Sequence, residues 1–199
     1  MILMGAVLWP LTSPAEFIYS TDVDTPGTAS AIVESGGRLG ALFFNPDVDR
    51  ELDAVQLRLS GSGLAEIQLY SSTGGEDRLP DAEISNLGSF ELPGGLQTPT
   101  FAGGGTLLEA DTYYWIVLVA HGPSFSTPAW SYTNTAGTGD GFVFGRALSY
   151  NGDPEWYEIN ATTAFKMEIF ALPEPSAAIL AGLGAMLCCI RRRAITRRR

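Results

Sequence analysis

The chain has 199 residues and a formal net charge of -10, room for one domain with its own core plus flanking segments. Six of its 12 basic residues, Arg191 to Arg193 and Arg197 to Arg199, crowd the C-terminus, so the remaining six face all 22 acidic ones. A body this acidic repels phosphate backbones, and no nucleic-acid partner is expected for it. Both cysteines, Cys188 and Cys189, are adjacent in an apolar tail, which excludes a disulfide framework or thiolate cage from the body.

The chain opens with MILMGAVLWPLTSPAEF, apolar from Ile2 to Leu11 and followed by small residues at Ser13 and Ala15, the spacing a signal peptidase favours. Residues 1–15 are therefore expected to resemble an export signal. No basic residue precedes the apolar run, since Arg38 is the first, which puts the true start upstream of Met1 or makes the signal weak. A buried N-terminal strand or helix is the competing expectation.

Beyond this segment, 23 glycines, 12 prolines and clustered Ser and Thr predict many turns and little helix. The first short strand candidates are Ala31 to Glu34 and Leu39 to Phe44. The following NPDVDRELD offers Asp47, Asp49 and Asp53 as a thin calcium candidate, set against an ordinary solvated loop because the full EF-hand pattern is absent. In VQLRLS, Val55, Leu57 and Leu59 alternate with Gln56 and Arg58; in AEIQLYS, Ile67 and Leu69 alternate with Glu66 and Gln68. Two half-buried strands joined at GSG are expected there.

Ser89 to Leu92 and Pro99 to Phe101 are weaker strands. TYYWIVLVA is apolar on both faces from Tyr113 to Ala120, as a central sheet strand should be. Ala129 to Thr133 and Arg146 to Tyr150 follow, and AFKMEIF puts Phe165, Met167 and Ile169 on one face with Lys166 and Glu168 on the other. Strands separated by Gly- and Pro-rich turns predict an all-β fold over residues 16–171, a jelly-roll-like antiparallel β-sandwich.

Chemistry is sparse in this body. The single histidine, His121, precedes Gly-Pro with Ser124 close by, an arrangement more typical of a turn than of a nucleophile and its base. Asp153, Glu155 and Glu158 are the best supply of a glycosidase carboxylate pair. Trp156 and Tyr157 beside them read as loop-borne rings able to stack on a sugar. Trp115 belongs to the core; Trp130 and Tyr132 leave core and platform roles both open. Asn160-Ala161-Thr162 matches a glycosylation acceptor pattern of little weight here. No catalytic residue, cofactor or metal is assigned.

After the last strand comes LPEPSAAILAGLGAMLCCIRRR. Pro173 and Pro175 keep Leu172 to Pro175 extended. Ala177 to Ile190 is free of charge and as a helix would run about 21 Å, short against a bilayer core of about 30 Å. The arginines behind it predict a cytoplasmic C-terminus with the body outside.

The order of Pro173-Glu174-Pro175, a short apolar helix and Arg191-Arg192-Arg193 resembles a PEP-CTERM sorting signal. That resemblance, confined to residues 172–199, implies a transmembrane helix and recognition by an exosortase, a membrane-embedded cysteine protease that cleaves near the tripeptide. The body, through LRLSGSGLAEIQLYSSTGG, LGSFELP, GTLLEADTYYWIVLVA and AWSYT, more loosely resembles choice-of-anchor R domains over Ala31 to Ala171, which implies architecture and surface location. The expected function is a non-catalytic exported protein processed for the cell surface or exopolysaccharide matrix. A carbohydrate-binding module of that matrix is the alternative, and a glycoside hydrolase the second.

Overall fold

A computed structural model of the chain describes residues 15–27, 29–74, 78–121, 127–150, 155–159 and 162–173. The described residues are all-β. In chain order the strands are β1 (Glu16–Ser20), β2 (Ala29–Ile32), β3 (Arg38–Asn45), β4 (Arg50–Leu57), β5 (Leu59–Ser60), β6 (Ser62–Ser72) and β7 (Pro80–Pro93). They continue as β8 (Thr100–Leu108), β9 (Thr112–His121), β10 (Ala129–Thr133), β11 (Arg146–Ser149), β12 (Tyr157–Glu158), β13 (Ala164–Phe165) and β14 (Met167–Pro173).

All strand pairings are antiparallel. A four-stranded sheet runs β1-β14-β4-β8 and a six-stranded sheet runs β12-β11-β3-β9-β6-β7. A short third sheet, β13-β10-β2 with β5 also paired to β10, continues the four-stranded one. The joint is stitched at Lys166, whose carbonyl accepts from the Arg58 N–H and whose own N–H donates to the Ser131 carbonyl.

Period-two patterning builds the sandwich. Leu52, Val55 and Leu57 of β4, with Met167 and Ile169 of β14, face Ile67 and Leu69 of β6 and Ile116 and Leu118 of β9 in one buried cluster. The alternate residues of β9, Trp115 and Val117, join Leu42, Tyr70 and Ala147 in a second cluster on the other side of the six-stranded sheet. That is why the sequence of β9 is apolar on both faces.

Three expectations change. First, the single strand expected in VQLRLS is divided: Leu57 ends β4 in the four-stranded sheet, Leu59 and Ser60 form β5 paired to β10, and β6 beyond lies in the six-stranded sheet. The chain crosses between layers at Gly61, which has φ 92° and where a Cβ would meet the Thr127 carbonyl at 2.1 Å. Second, AFKMEIF is two strands in two sheets, and Lys166 at the break is buried rather than on a polar face. Third, β8 extends to Leu108 through Gly103–Gly105, three residues bulged opposite Asp53. Such a bulge requires glycine, since Gly104 and Gly105 have positive φ and a Cβ on Gly103 would strike the Leu52 carbonyl.

The last strand is interior to its sheet. β14 pairs with β1 on one side and β4 on the other, and its final residue, Pro173, lies opposite Arg50. The expected sorting segment thus begins inside the body. Residues 1–14 and 174–199, which carry the expected export signal, Glu174, Pro175, the apolar helix and Arg191 to Arg193, lie outside the described residues. Among the described residues no helix is long and apolar enough to cross a membrane.

Candidate functional site

The aromatic residues sort into buried and open ones differently from the sequence expectation. Trp130 is no platform: its ring is fully buried, stacked on Phe165 at 4.5 Å and 15°, and its Nε1 donates to the Lys166 carbonyl at 2.9 Å. β10 is flanked by β2 on one side and by β5 and β13 on the other, which closes the space around the indole. Trp156 is not exposed either. It packs half-buried against the outer cluster, edge-on to Tyr70 with centroids 6.2 Å apart, and the Arg38 guanidinium lies 4.7 Å from its ring centre.

Tyr157 is open, at 45% exposure, and it has a neighbour that no sequence signal marks as a site residue. Tyr150 directly follows β11, is 60% exposed and holds its ring 6.2 Å from that of Tyr157 at 50°. The pairing of β11 with β12, which sets Leu148 opposite Tyr157, brings the two rings together. Beside Tyr150 is a hollow of about 220 Å³ lined by Ile32, Val33, Glu34, Gly37, Leu148, Ser149 and Tyr150 itself. The Tyr157 hydroxyl donates to Glu155 at 3.0 Å, and the Arg38 Nη2 donates to the Ser149 hydroxyl at 3.0 Å. Glu158 lies on β12, while Asp153 is outside the described residues.

The calcium candidate dissolves. Asp49 accepts from the Ala110 N–H at 2.8 Å, Asp47 donates its own N–H to the Asp111 carboxylate at 3.3 Å, and Asp53 lies exposed on β4. Among the described residues no three His, Cys, Asp or Glu side chains converge as a metal site. The loop is instead organised by a residue that sequence reasoning passed over. Asn45, buried at the end of β3, donates to the carbonyls of Val48, Leu108 and Glu109 and accepts from Arg50.

His121 ends β9 with its Nε2 at 2.7 Å from Glu66 Oε2. Glu66 also accepts from Gln68 at 2.7 Å and Asn86 at 2.5 Å, so the imidazole belongs to a polar network across β9, β6 and β7. Ser124 lies outside the described residues.

A second, polar cavity of about 290 Å³ opens where the four-stranded and short sheets meet, bordered by Ser20, Thr21, Thr25, Thr133, Thr138 and Lys166. The Lys166 ammonium is spent within the protein: it donates to the carbonyls of Thr21 at 2.9 Å and Asp22 at 2.7 Å and to the Thr25 hydroxyl at 2.6 Å. Burial holds it below the usual lysine range, with the Asp22 charge opposing. This lysine is a pin for the loop after β1, and its three donors are occupied.

No protein-family model matches the chain, and no curated protein sequence matches it. Among solved structures it is similar to the cysteine protease and lectin-like domains of Cwp84, a surface layer associated protein of Clostridium difficile. The TM-score is 0.52 at 12% identity, over 75% of this chain and 37% of that one, so the chain spans little more than a third of its neighbour's length. At that identity the likeness is one of fold.

Proposed function

We propose that this chain is a non-catalytic exported protein whose β-sandwich body is carried to the cell surface or exopolysaccharide matrix by a C-terminal PEP-CTERM signal. The observation that supports it is the position of β14. An interior strand that ends at Pro173 lets a protease cut just beyond the sheet and leave a body with every strand still paired. On this reading the partners are an exosortase and the membrane, which the helix over Ala177 to Ile190 crosses for a time with Arg191, Arg192 and Arg193 on the cytoplasmic side.

The body is read as a jelly roll. Counting only β1, β3, β4, β6, β7, β8, β9 and β14, the sheets run first-eighth-third-sixth and second-seventh-fourth-fifth, the interleaving of two Greek keys.

The test uses two substitutions beyond the last strand. Glu174→Ala with Pro175→Ala is expected to leave the protein in the inner-membrane fraction of its native cells, while the parent chain is recovered from the surface or matrix. Surface recovery of the variant at the parental level contradicts the proposal.

A second reading, carbohydrate recognition by the delivered body, is favoured by one observation: the adjacent open rings of Tyr150 and Tyr157. Amphipathic rings left in water beside a hollow are suited to the C–H face of a sugar.

A further inference from the structure

Carbohydrate recognition by the delivered body can be given a place and a ligand class, and the site assigned to it rests on that reading. Tyr150 and Tyr157 are large rings kept in solvent on a body that has buried Trp115, Trp130 and Phe165 completely. Ile32, 65% exposed at the end of β2, lines the same hollow as Tyr150. The apolar surface of the hollow therefore comes from the exposed Ile32 and Tyr150 together with Val33 and Leu148. The Tyr157 ring is held in place: its hydroxyl donates to Glu155, and β12, which carries it, is paired to β11. A fixed ring loses little freedom when a ligand docks.

Size and charge then restrict the occupant. At about 220 Å³ the hollow is below the range of about 300–1,000 Å³ usual for cofactors and drug-sized ligands, and it suits one sugar ring. Tyr150 and Tyr157 meet at 50°, so a second ring contacting Tyr157 would be turned from the first, as successive units of a twisted polymer are. Glu34 is the exposed charged residue of the hollow. Ser149 is buried with its hydroxyl accepting from Arg38, whose guanidinium is turned onto the Trp156 ring, while Glu155 accepts from the Tyr157 hydroxyl and Glu158 follows Tyr157 on β12. Carboxylates accept from sugar hydroxyls and repel a uronate, a sulfated sugar or an anionic lipid surface.

We propose that Tyr150, Tyr157, Ile32 and Glu34 form a binding site for a neutral polysaccharide. The tyrosine rings stack on the C–H faces of the sugars, and Glu34 accepts a hydrogen bond from a sugar hydroxyl.

The test is affinity electrophoresis of the full chain, kept soluble in a detergent without a sugar head group. Gels contain hydroxyethylcellulose, dextran or galactomannan as neutral polymers, and alginate as the acidic one. At least one neutral polymer is expected to retard the protein, and alginate is not. Tyr150→Ala and Tyr157→Ala are each expected to weaken that binding about tenfold, the worth of an aromatic contact at the upper end of its range. Glu34→Gln should weaken it several-fold, and His121→Ala, on another part of the sheet, should leave it unchanged. Indole fluorescence, dominated by the buried tryptophans, reports that each variant is folded. Undiminished binding by both tyrosine variants would overturn the site and leave the carbohydrate reading standing. Retardation by alginate alone would overturn the neutral class. A folded parent chain passing every gel unretarded would overturn site and carbohydrate reading together.

Discussion

Trp130 and Tyr157 are both aromatic residues on short strands, yet one has no contact with water and the other is nearly half exposed. The difference lies in their neighbours across the sheet. β10 has partners on both edges, and Phe165 on β13 supplies a ring that stacks on Trp130. β12 is two residues long at the edge of the six-stranded sheet and pairs with β11 alone. Side-chain type and local alternation say which residues can be buried; the number of flanking strands decides which are.

Substitutions can break this contrast. The largest expected effect is Trp130→Ala, which removes the stack on Phe165 and the hydrogen bond to the Lys166 carbonyl; a loss of about 3–5 kcal/mol in denaturant unfolding is expected. A loss below about 1 kcal/mol would contradict the burial described for β10.

Next comes Lys166→Met, which keeps the aliphatic volume but strips the donors from the buried carbonyl of Thr21 and from that of Asp22, at a cost of about 2 kcal/mol. The same variant sharpens the electrostatics. Because burial depresses Lys166, the folded protein releases this proton at a lower pH than the unfolded chain does. Between that depressed value and the ordinary lysine value near 10.5, this group makes stability rise with pH. Its contribution is present above the unfolded value and is lost as pH falls through the folded one. Unfolding of parent and Lys166→Met across that window should show the rise in the parent only.

Tyr19 gives a smaller effect of opposite direction. Its hydroxyl is fully buried and makes no hydrogen bond among the described residues, and burial alone pushes its pKa far up. Tyr19→Phe is expected to stabilise by about 1 kcal/mol. It should also remove a loss of stability that sets in above about pH 10, where the unfolded tyrosine ionises and the buried one does not. The smallest effect is Tyr157→Ala, expected to change stability by less than about 0.5 kcal/mol, so that its effect on polysaccharide binding can be read separately.

The strands that sequence resolved best are those whose two faces differ or agree strongly. Tyr113 to Ala120 was legible as a central strand, and Ala129 to Thr133 falls on β10 residue for residue. Where the pattern is interrupted, less could be read. Gly103–Gly105 hid the second half of β8 because a bulge looks like a turn in sequence. β7 showed only its last residues because, as an edge strand, it exposes most of its length and carries bulges of its own.

Pairing was less legible than strand position. Alternation around Leu57 and Ile67 gives each strand its buried face but says nothing about which sheet receives it, so the crossing at Gly61 was invisible. For the candidate site, Tyr157 was legible from its setting. Tyr150 and Ile32 become neighbours of the same hollow only through contacts between residues more than a hundred positions apart. Asp47 and Asp49 resembled ligands because acidic loops do; their turn geometry, with Asp47 at φ 63°, joins the loop to the one before β9.

The body is held to end where β14 ends, and the chain beyond it to be an address removed after use. The mass of the C-terminus of the mature protein, recovered from the surface or matrix of its native cells, tests this most directly. The expected terminus lies within Pro173 to Ser176, immediately past the last paired strand. A surface-located protein whose mass includes Arg199 contradicts it.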